Sequence, residues 1–193
     1  MARYFAKARP IKFELSILNL KQLLQNDPFR MGALKLVASL KLPDCYIAAG
    51  FMRNLVWDYI HEYPSTKLND VDVVYFDVRE IDNSVCENSE LILQKKSPDI
   101  NWQVKNQALM HLKNNDRPYK NSTDAMTFWP EKETAVGAQL GNDEQIHISS
   151  PFGTESLFRG EITFNPQRDK KIFLNRLESK QWLKLWPNLQ VVF

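Results

Sequence analysis

The sequence has little of three features that would narrow its class at once: cysteine, net charge and long apolar runs. Its 193 residues include two cysteines, Cys45 and Cys86, and carry a formal net charge of +2. Two lone cysteines without CxxC spacing favour a reduced compartment over a disulfide framework or a zinc site, so the predicted location is the cytoplasm. The small net charge is no sign of nucleic-acid binding, and any basic site must therefore be local.

Membrane insertion and secretion are not indicated either. The most apolar stretch, residues 71–76, is interrupted by Asp72 and falls far short of the roughly 20 residues of a membrane helix. Arg3, Lys7 and Arg9 give the N-terminus positive charge, but no apolar segment or small-residue cleavage site follows them. We expect a protein with no membrane partner. Hydrophobic residues at 44% and charged residues at 25% are typical of globular domains.

Hydrophobic periodicity predicts an α/β chain. The first half is predicted to contain helices at residues 13–24 and 31–40, a strand at 46–49, a turn at Gly50, a helix through Ile60 and a strand at 71–76. Further along we predict a strand at 102–104, a helix at 106–113, a short helix from Ser122 through Trp129, a hairpin around residues 141–143, and one helix from Asp169 to Leu185. We expect one domain, residues 1–193, with a core of about 13–113 and a C-terminal extension of about 114–193.

Asp70 and Asp72 are the residues that most clearly suggest chemistry. On a strand, side chains two positions apart point to the same face, so the two carboxylates would be neighbours and would repel. A cation between them relieves that repulsion, and Mg²⁺ prefers one or two carboxylates together with substrate phosphates. The alternative is a solvated strand end, because a DxD motif alone has little specificity.

The segment before the helix supports the metal interpretation. Ala49, Gly50 and Arg53 lie between an apolar strand and a helix, where free backbone N–H groups favour phosphate. Gly50 would let a phosphate approach the backbone closely. Arg53 has two interpretations: it orients a phosphate through its planar fork, or it is an exposed cation or an ion-pair partner of Asp58 or of a catalytic aspartate.

These residues resemble a known family. Residues 49–54 read AGFMRN and residues 68–73 read LNDVDV. The two segments and their spacing resemble the GG-x-x-R-D and DxD segments of polymerase-β-like nucleotidyltransferases, nearest the tRNA nucleotidyltransferase pattern. More narrowly, residues 46–129 are similar to a bacterial nucleotidyltransferase-like family, and segments 151–153 and 180–187 extend that similarity over most of the chain.

The resemblance implies a polymerase-β-like core, in which a small mixed sheet is flanked by helices and followed by a C-terminal hairpin and helix. It implies transfer of a nucleotidyl group from a nucleoside triphosphate (NTP), with Asp70 and Asp72 as catalytic residues that bind Mg²⁺ or Mn²⁺. Ala49, Gly50 and Arg53 would then bind the nucleotide. This sequence differs from the family pattern at two positions: Ala49 replaces the first glycine, and Asn54 replaces the common aspartate.

Many superfamily members carry a third carboxylate on a later strand, and its position is open here. Residues 102–106 contain no acid and offer Lys105, which would contact a phosphate or simply face solvent. Asp77 is an unsuitable substitute, because its parity along the strand places it on the opposite face. Asp124 remains a candidate, with the alternative that it only favours a helix N-terminus.

Two other features have a plain structural explanation beside a functional one. His111 is expected to pack or hydrogen-bond within its helix, with proton transfer as the alternative. Arg176, Lys180 and Lys184 recur every four residues and predict a basic stripe. Nearby tryptophans, Trp182 and Trp186, would be available to stack on a base if this stripe contacts nucleic acid rather than solvent.

The sequence therefore favours a metal-dependent nucleotidyltransferase acting on an unidentified acceptor, which is RNA, a protein or a small molecule. The competing hypotheses are a nucleotide- or RNA-binding module that kept the fold and lost turnover, and a plain interaction domain. The acceptor stays open at this point, because fold does not fix function.

Overall fold

The structure is a computed structural model that describes residues 13–193, with side chains from Ser16 onward. Arg3, Lys7 and Arg9, and with them the first part of the predicted domain, lie outside the described residues. The helices are α1 Phe13–Gln25, α2 Pro28–Ala38, α3 Gly50–Ile60, α4 Ser84–Lys96, α5 Gln107–Asn114, α6 Ser122–Met126, α7 Glu155–Phe158, α8 Lys170–Lys180 and α9 Trp182–Leu185. A short 3-10 turn covers Lys132–Thr134. No helix in this part of the chain is long and apolar enough to cross a membrane.

Seven strands form two sheets. They are β1 Tyr46–Ala48, β2 Val71–Tyr75, β3 Trp102–Asn106, β4 Gly137–Leu140, β5 Ile146–Ser149, β6 Glu161–Thr163 and β7 Gln190–Val192. The main sheet has the order β3-β2-β1-β4-β5, in which β2 and β3 are parallel and the other pairs antiparallel. Strands β6 and β7 form a separate parallel pair. The predicted α/β class, the mixed sheet and the β4–β5 hairpin are confirmed.

The sheet separates two packed regions. Side chains at alternate positions of β2, Val71, Val73 and Tyr75, lie in the main core together with residues of α1, α2, α3 and α4. On the other face, Val74 packs with Ala48 in a smaller cluster under α6. Because side chains alternate along a strand, Asp72 shares the face of Val74 and is only partly covered.

Several local predictions are corrected. Helix α2 begins at Pro28 rather than near residue 31, because Asp27 caps it by accepting the Arg30 N–H at 3.0 Å and proline suits the first helical position. The single helix predicted from Asp169 to Leu185 is two helices. Gln181 adopts a left-handed conformation at φ 51°, which ends α8 and starts α9 in a new direction.

Four elements had no prediction: α4, α7, β6 and β7. Helix α4 is mostly exposed and buries only Cys86, Ser89 and Leu93, so its apolar stripe is too thin to stand out in the sequence. The other three have three or four residues each, which is too few for a periodic pattern. Cys45 and Cys86 are both free cysteines, the first partly buried and the second buried.

Candidate functional site

Asp70 and Asp72 lie at the start of β2, the second strand of the main sheet. Asp72 is opposite Ala48 of β1 and Gln103 of β3, and Asp70 directly precedes β2. Both side chains are half-buried. The strand is held in this position because Val71 and Val73, the alternate residues, are fully buried in the main core.

The two carboxylates interact electrostatically. The pKa of Asp72 is raised from 3.8 to about 6, first because the group is largely buried and second because the negative charge of Asp70 is close. Arg53, Lys180 and Arg176 act in the opposite direction and lower the Asp72 pKa, but they do not cancel the first two effects. Burial and the charge of Asp70 therefore disfavour the charged form of Asp72, and a divalent cation bound to both carboxylates would offset these two effects.

The bend before α3 lies beside the aspartates. Ala49 adopts φ 56° and ψ −123°, a conformation that glycine tolerates and residues with a Cβ rarely adopt. The neighbouring backbone fixes it there: the Ala49 N–H donates to Val136 O at 3.1 Å, and Ala49 O accepts from the Arg53 N–H at 2.9 Å. No side chain caps the start of α3. The first turn of this helix is thus available to an anion.

Gly50 is not required by packing. A Cβ at this position would meet Arg53 Nη2 at 3.6 Å and Asn54 at 3.9 Å, which are ordinary contact distances. The missing side chain instead leaves room in front of the helix N-terminus, where a ligand can come close to the backbone.

Arg53 is buried, so the interpretation as an exposed cation is wrong. Its guanidinium packs over the rings of both Trp57 and Trp182, with Cζ at 4.8 and 4.4 Å from their centroids. Nη1 donates to Thr134 Oγ1 at 2.8 Å and Nη2 donates to Asn54 Oδ1 at 3.0 Å. Burial lowers the Arg53 pKa to about 10, while Glu131, Asp72 and Asp70 raise it.

Asp58 is also not the partner of Arg53. One oxygen of Asp58 accepts from Trp186 Nε1 at 2.9 Å, and the other accepts from the backbone and hydroxyl of Thr66. Trp182 and Trp186 are 3% and 2% exposed and pack edge-on against Trp57. The expectation that these two tryptophans stack on a base is therefore corrected, because both rings are enclosed.

Two pockets adjoin the aspartate pair, one lined by Asp70 and the other by Asp72. One, of about 310 Å³, is called here the lysine pocket because Lys67 and Lys180 line it. Gly50, Asn54 and Asp70 also line it. The side of the aspartate pair at Asp70 thus faces two ammonium groups and the start of α3.

The second pocket, of about 320 Å³, is called here the tryptophan pocket after Trp129. Asp72, Ala49, Gln103 and Lys105 also line it. The structure thus brings together the predicted positions Ala49, Gly50, Asp70 and Asp72. It places Lys105 at the same pocket, half-exposed and 3.5 Å from Glu90 Oε1.

The acids considered as a third carboxylate are all engaged elsewhere. Asp124 accepts two hydrogen bonds from Arg117 at 2.7 Å each, and Asp77 is paired with Arg79. Within residues 13–193 no group of three His, Cys, Asp or Glu side chains is placed to hold a metal ion. The acidic side chains available to a metal at this site are therefore those of Asp70 and Asp72.

The two pockets are also lined by Lys67, Gln103 and Trp129. All three lie within the stretch 46–129 that resembles the family, but no local pattern marked their side chains as site residues. Lys180 belongs to the predicted basic stripe and to the segment 180–187 that resembles the family. That stripe is broken, because Gln181 separates α8 from α9 and Lys184 lines neither pocket. Outside the site, His111 Nδ1 lies 2.8 Å from Ala108 O within α5, as expected of a helical histidine.

Comparisons with known proteins agree with this fold. A family model described as a nucleotidyltransferase matches residues 35–191. A structure described as a CCA-adding enzyme head domain, solved by NMR, is 28% identical and superposes with a TM-score of 0.79, covering 90% of this chain and 94% of that one. No curated protein matches the chain significantly.

Two more distant structures show the fold alone. CCA-adding enzyme complexes with CTP and with ATP are 12% and 13% identical and superpose with TM-scores of 0.58 and 0.55. Each alignment covers 90% of this chain but only 43% and 42% of those enzymes, so the chain spans less than half their length. The mixed sheet flanked by helices is that of the polymerase-β-like head domain. Since the family model covers most of the sequence, the protein belongs to this nucleotidyltransferase family.

Proposed function

We propose that the protein is a metal-dependent nucleotidyltransferase that moves a nucleoside monophosphate from an NTP to an acceptor hydroxyl. The observation that carries this proposal is the Asp70–Asp72 pair, half-buried beside the uncapped N-terminus of α3. Two pockets with different linings adjoin it. Such a site offers separate places for a polyphosphate and for a nucleoside.

The lysine pocket suits the polyphosphate. Lys67 and Lys180 are exposed lysines that line this pocket, and the uncapped start of α3 at Gly50 completes an anion-binding surface. The Arg53 guanidinium adds positive charge from beneath, since its field reaches both aspartates. We assign Gly50, Arg53, Lys67 and Lys180 to the phosphates.

The tryptophan pocket suits the nucleoside. Trp129 is partly exposed there, and aromatic rings stack on bases of any sequence. Gln103 offers both a donor and an acceptor, which is what reading a base edge needs. Lys105 and Ala49 border the same pocket, where they are assigned to nucleotide binding.

The donor set at the centre fits a hard divalent cation. Asp70 and Asp72 supply carboxylate oxygens, and Mg²⁺ commonly binds through one or two carboxylates, waters and substrate phosphates. When bound, the ion would stabilise the negative charge that develops on the phosphates. The role of the protein residues is to position the substrates: α3 and the lysines hold the polyphosphate. The acceptor oxygen then forms a bond to the α-phosphorus, and the bond between the α-phosphorus and pyrophosphate breaks.

The test is label transfer from each α-labelled NTP with Mg²⁺ or Mn²⁺, using cell RNA, protein and small metabolites as acceptor pools. Labelled acceptor that is lost in Asp72→Asn supports the proposal. Asp77→Asn is the matched control, because Asp77 lies just past the same strand but is paired with Arg79 and lines neither pocket.

A second candidate is a binding module without turnover. It is favoured by the strained alanine at position 49 and by the two-acid donor set. Nucleotide binding measured by thermal shift, together with no label transfer to any pool, would select this candidate. No metal-dependent shift with any nucleotide would instead select an interaction domain.

A further inference from the structure

Glu131 is a buried acid that the proposed function does not use. It is 1% exposed, it directly precedes the 3-10 turn, and its backbone forms an isolated antiparallel bridge with Phe164. Its main-chain oxygen accepts from the Thr134 N–H at 3.2 Å, and Thr134 lines the tryptophan pocket. A carboxylate this deeply buried needs a charged or hydrogen-bonded partner.

The partner of Glu131 is Arg176 of α8. Nε of Arg176 donates to Glu131 Oε1 at 2.6 Å and Nη2 donates to Oε2 at 3.1 Å, so two bonds fix the orientation of the guanidinium. The ring of Trp182 also contacts it, with Cζ 5.7 Å from the ring centroid. Arg176 is therefore held in one arrangement, unlike a lysine on a flexible stem.

The remaining nitrogen of Arg176, Nη1, is available to a ligand. It makes no hydrogen bond within the described part of the chain. It is not enclosed either, because the buried unpaired side-chain nitrogens there belong to Arg30, Arg53 and Trp57. The Arg176 side chain is 32% exposed and lines the tryptophan pocket together with Asp72. A fixed, accessible donor thus lies beside one of the two aspartates.

Arg176 and Lys180 reach the site from the same helix. They are four residues apart, so they share one face of α8 at a separation of about 6 Å along its axis. Lys180 lines the lysine pocket and Arg176 the tryptophan pocket. Burial raises the pKa of Asp72, and the charges of Lys180 and Arg176 oppose that rise, which places both cations within electrostatic reach.

We propose that Arg176 binds the α-phosphate of the NTP, and that Glu131 is the positioning residue that orients it. This rests on the proposed function, in which the nucleoside occupies the tryptophan pocket and the polyphosphate the lysine pocket. The α-phosphate joins those two parts and therefore lies beside Asp72, where Nη1 is a free donor. A bond from a guanidinium N–H to a phosphate oxygen is charge-assisted and contributes about tenfold in affinity.

Nucleoside monophosphates isolate this contact, because the α-phosphate is the only phosphate they carry. Titration calorimetry on the full chain with Mg²⁺ compares each of the four common ribonucleosides with its 5′-monophosphate. The ratio of the two dissociation constants measures what the phosphate adds, while the nucleoside alone reports on folding and stacking. In the parent protein we expect the monophosphate to bind at least about tenfold more tightly.

The variants remove Nη1 without leaving a buried charge unpaired. Arg176→Lys keeps a cation beside Glu131 and should reduce the monophosphate preference to about threefold or less. Arg176→Gln combined with Glu131→Gln neutralises both partners and should lose the preference as well. Arg159→Lys is the matched control, because Arg159 pairs with Glu161 through the same atoms at 2.7 and 2.9 Å and lines neither pocket. It should leave the preference unchanged.

Glu131→Gln alone tests the positioning role. It keeps the Arg176 charge but removes its ionic partner, so the monophosphate preference should fall about threefold while the nucleoside affinity stays as in the parent. In the Arg176→Lys background the same substitution should have no further effect on the preference, because Glu131 acts through Nη1. A merely structural Glu131 would lower the nucleoside and monophosphate affinities together.

The outcomes distinguish this proposal from the proposed function. If nucleotides bind but Arg176→Lys keeps the preference of the parent, Arg176 is not a ligand of the α-phosphate, and the proposed function stands on its label-transfer test. An equal loss in Arg159→Lys would also overturn a defined contact at Arg176. If the parent protein binds no nucleotide, the proposed function fails, and the assignment of Arg176 fails with it.

Discussion

At the scale of single residues, Ala49 holds the most strained backbone of the site. Its φ of 56° with ψ −123° lies where a Cβ is costly, and the position is set by hydrogen bonds to Val136 and Arg53. Such residues cost about 1–3 kcal/mol and persist where the surroundings over-determine them. This strain energy is located at the bend that exposes the start of α3 to a ligand.

We therefore expect Ala49→Gly to stabilise the protein by about 1 kcal/mol, the relieved strain less the greater flexibility of glycine in the unfolded chain. Urea unfolding measures this change in the free energy of unfolding. Ala48→Gly is the control: Ala48 lies in β1 with no positive φ and is fully buried, so it should destabilise. Equal destabilisation by both substitutions would contradict the strain at position 49.

Asp72 makes stability depend on pH in an unusual direction. Its pKa is about 6 in the folded protein against 3.8 ordinarily, so the folded state binds the proton more tightly and loses stability as pH rises from about 4 to 6. In metal-free buffer, Asp72→Asn should stabilise the protein by about 1–3 kcal/mol at pH 8 and by far less at pH 4.

Chemical denaturation in EDTA at the two pH values tests this. Asp77→Asn should have the opposite sign at pH 8, because hydrogen bonds from Arg79 hold the Asp77 pKa at about 2 and favour its charged form. A loss of stability in Asp72→Asn at pH 8 would show that the acids are not in electrostatic conflict.

The residue-level features that sequence could predict are those encoded locally. The two acids, Gly50 and the helix after it lie within one short stretch, and their parity and spacing can be read directly. The burial of Arg53 could not be predicted, because Trp182 and Thr134, which enclose it, come from distant parts of the chain. Only the fold brings them together.

At the scale of elements, the break between α8 and α9 decides which basic residues reach the site. In a continuous helix Arg176, Lys180 and Lys184 would share one face. The left-handed Gln181 separates them, so Lys180 lines the lysine pocket and Lys184 does not. Glutamine has no marked preference for turns, which is why the sequence did not reveal the break.

Lys180→Ala should therefore weaken NTP binding by about tenfold, which corresponds to the loss of one hydrogen bond to a charged group. Lys184→Ala, a matched exposed lysine past the break, should leave the affinity unchanged. Titration calorimetry with Mg²⁺ and a non-hydrolysable NTP analogue gives both constants. An equal loss in the two variants would indicate a diffuse basic surface instead of a defined pocket.

At the scale of the whole molecule, the C-terminal segment is joined to the first half of the chain at many points. The main core includes residues from α1 through β3 together with Phe173, Trp182 and Trp186. Asn188 N also donates to His61 Nε2 at 3.1 Å. The division into a core of about 13–113 and an extension of about 114–193 stays a prediction. Residues of both segments pack together in the main core.

We expect the chain to unfold in one cooperative transition. Far-ultraviolet circular dichroism, which reports all helices, and tryptophan fluorescence, which is dominated by rings at the C-terminal junction, should give superimposable urea curves. Separate midpoints would show that the first 113 residues fold as an independent unit.

The enclosure of Arg53 has a practical consequence at this same scale. Its guanidinium packs over two indole rings, those of Trp57 and Trp182, and also interacts electrostatically with the two carboxylates. Any change of charge at the carboxylates alters the electric field across those indoles. Cation binding should therefore shift the emission maximum of the intrinsic tryptophan fluorescence. A cation titration can be followed by this shift without an added dye.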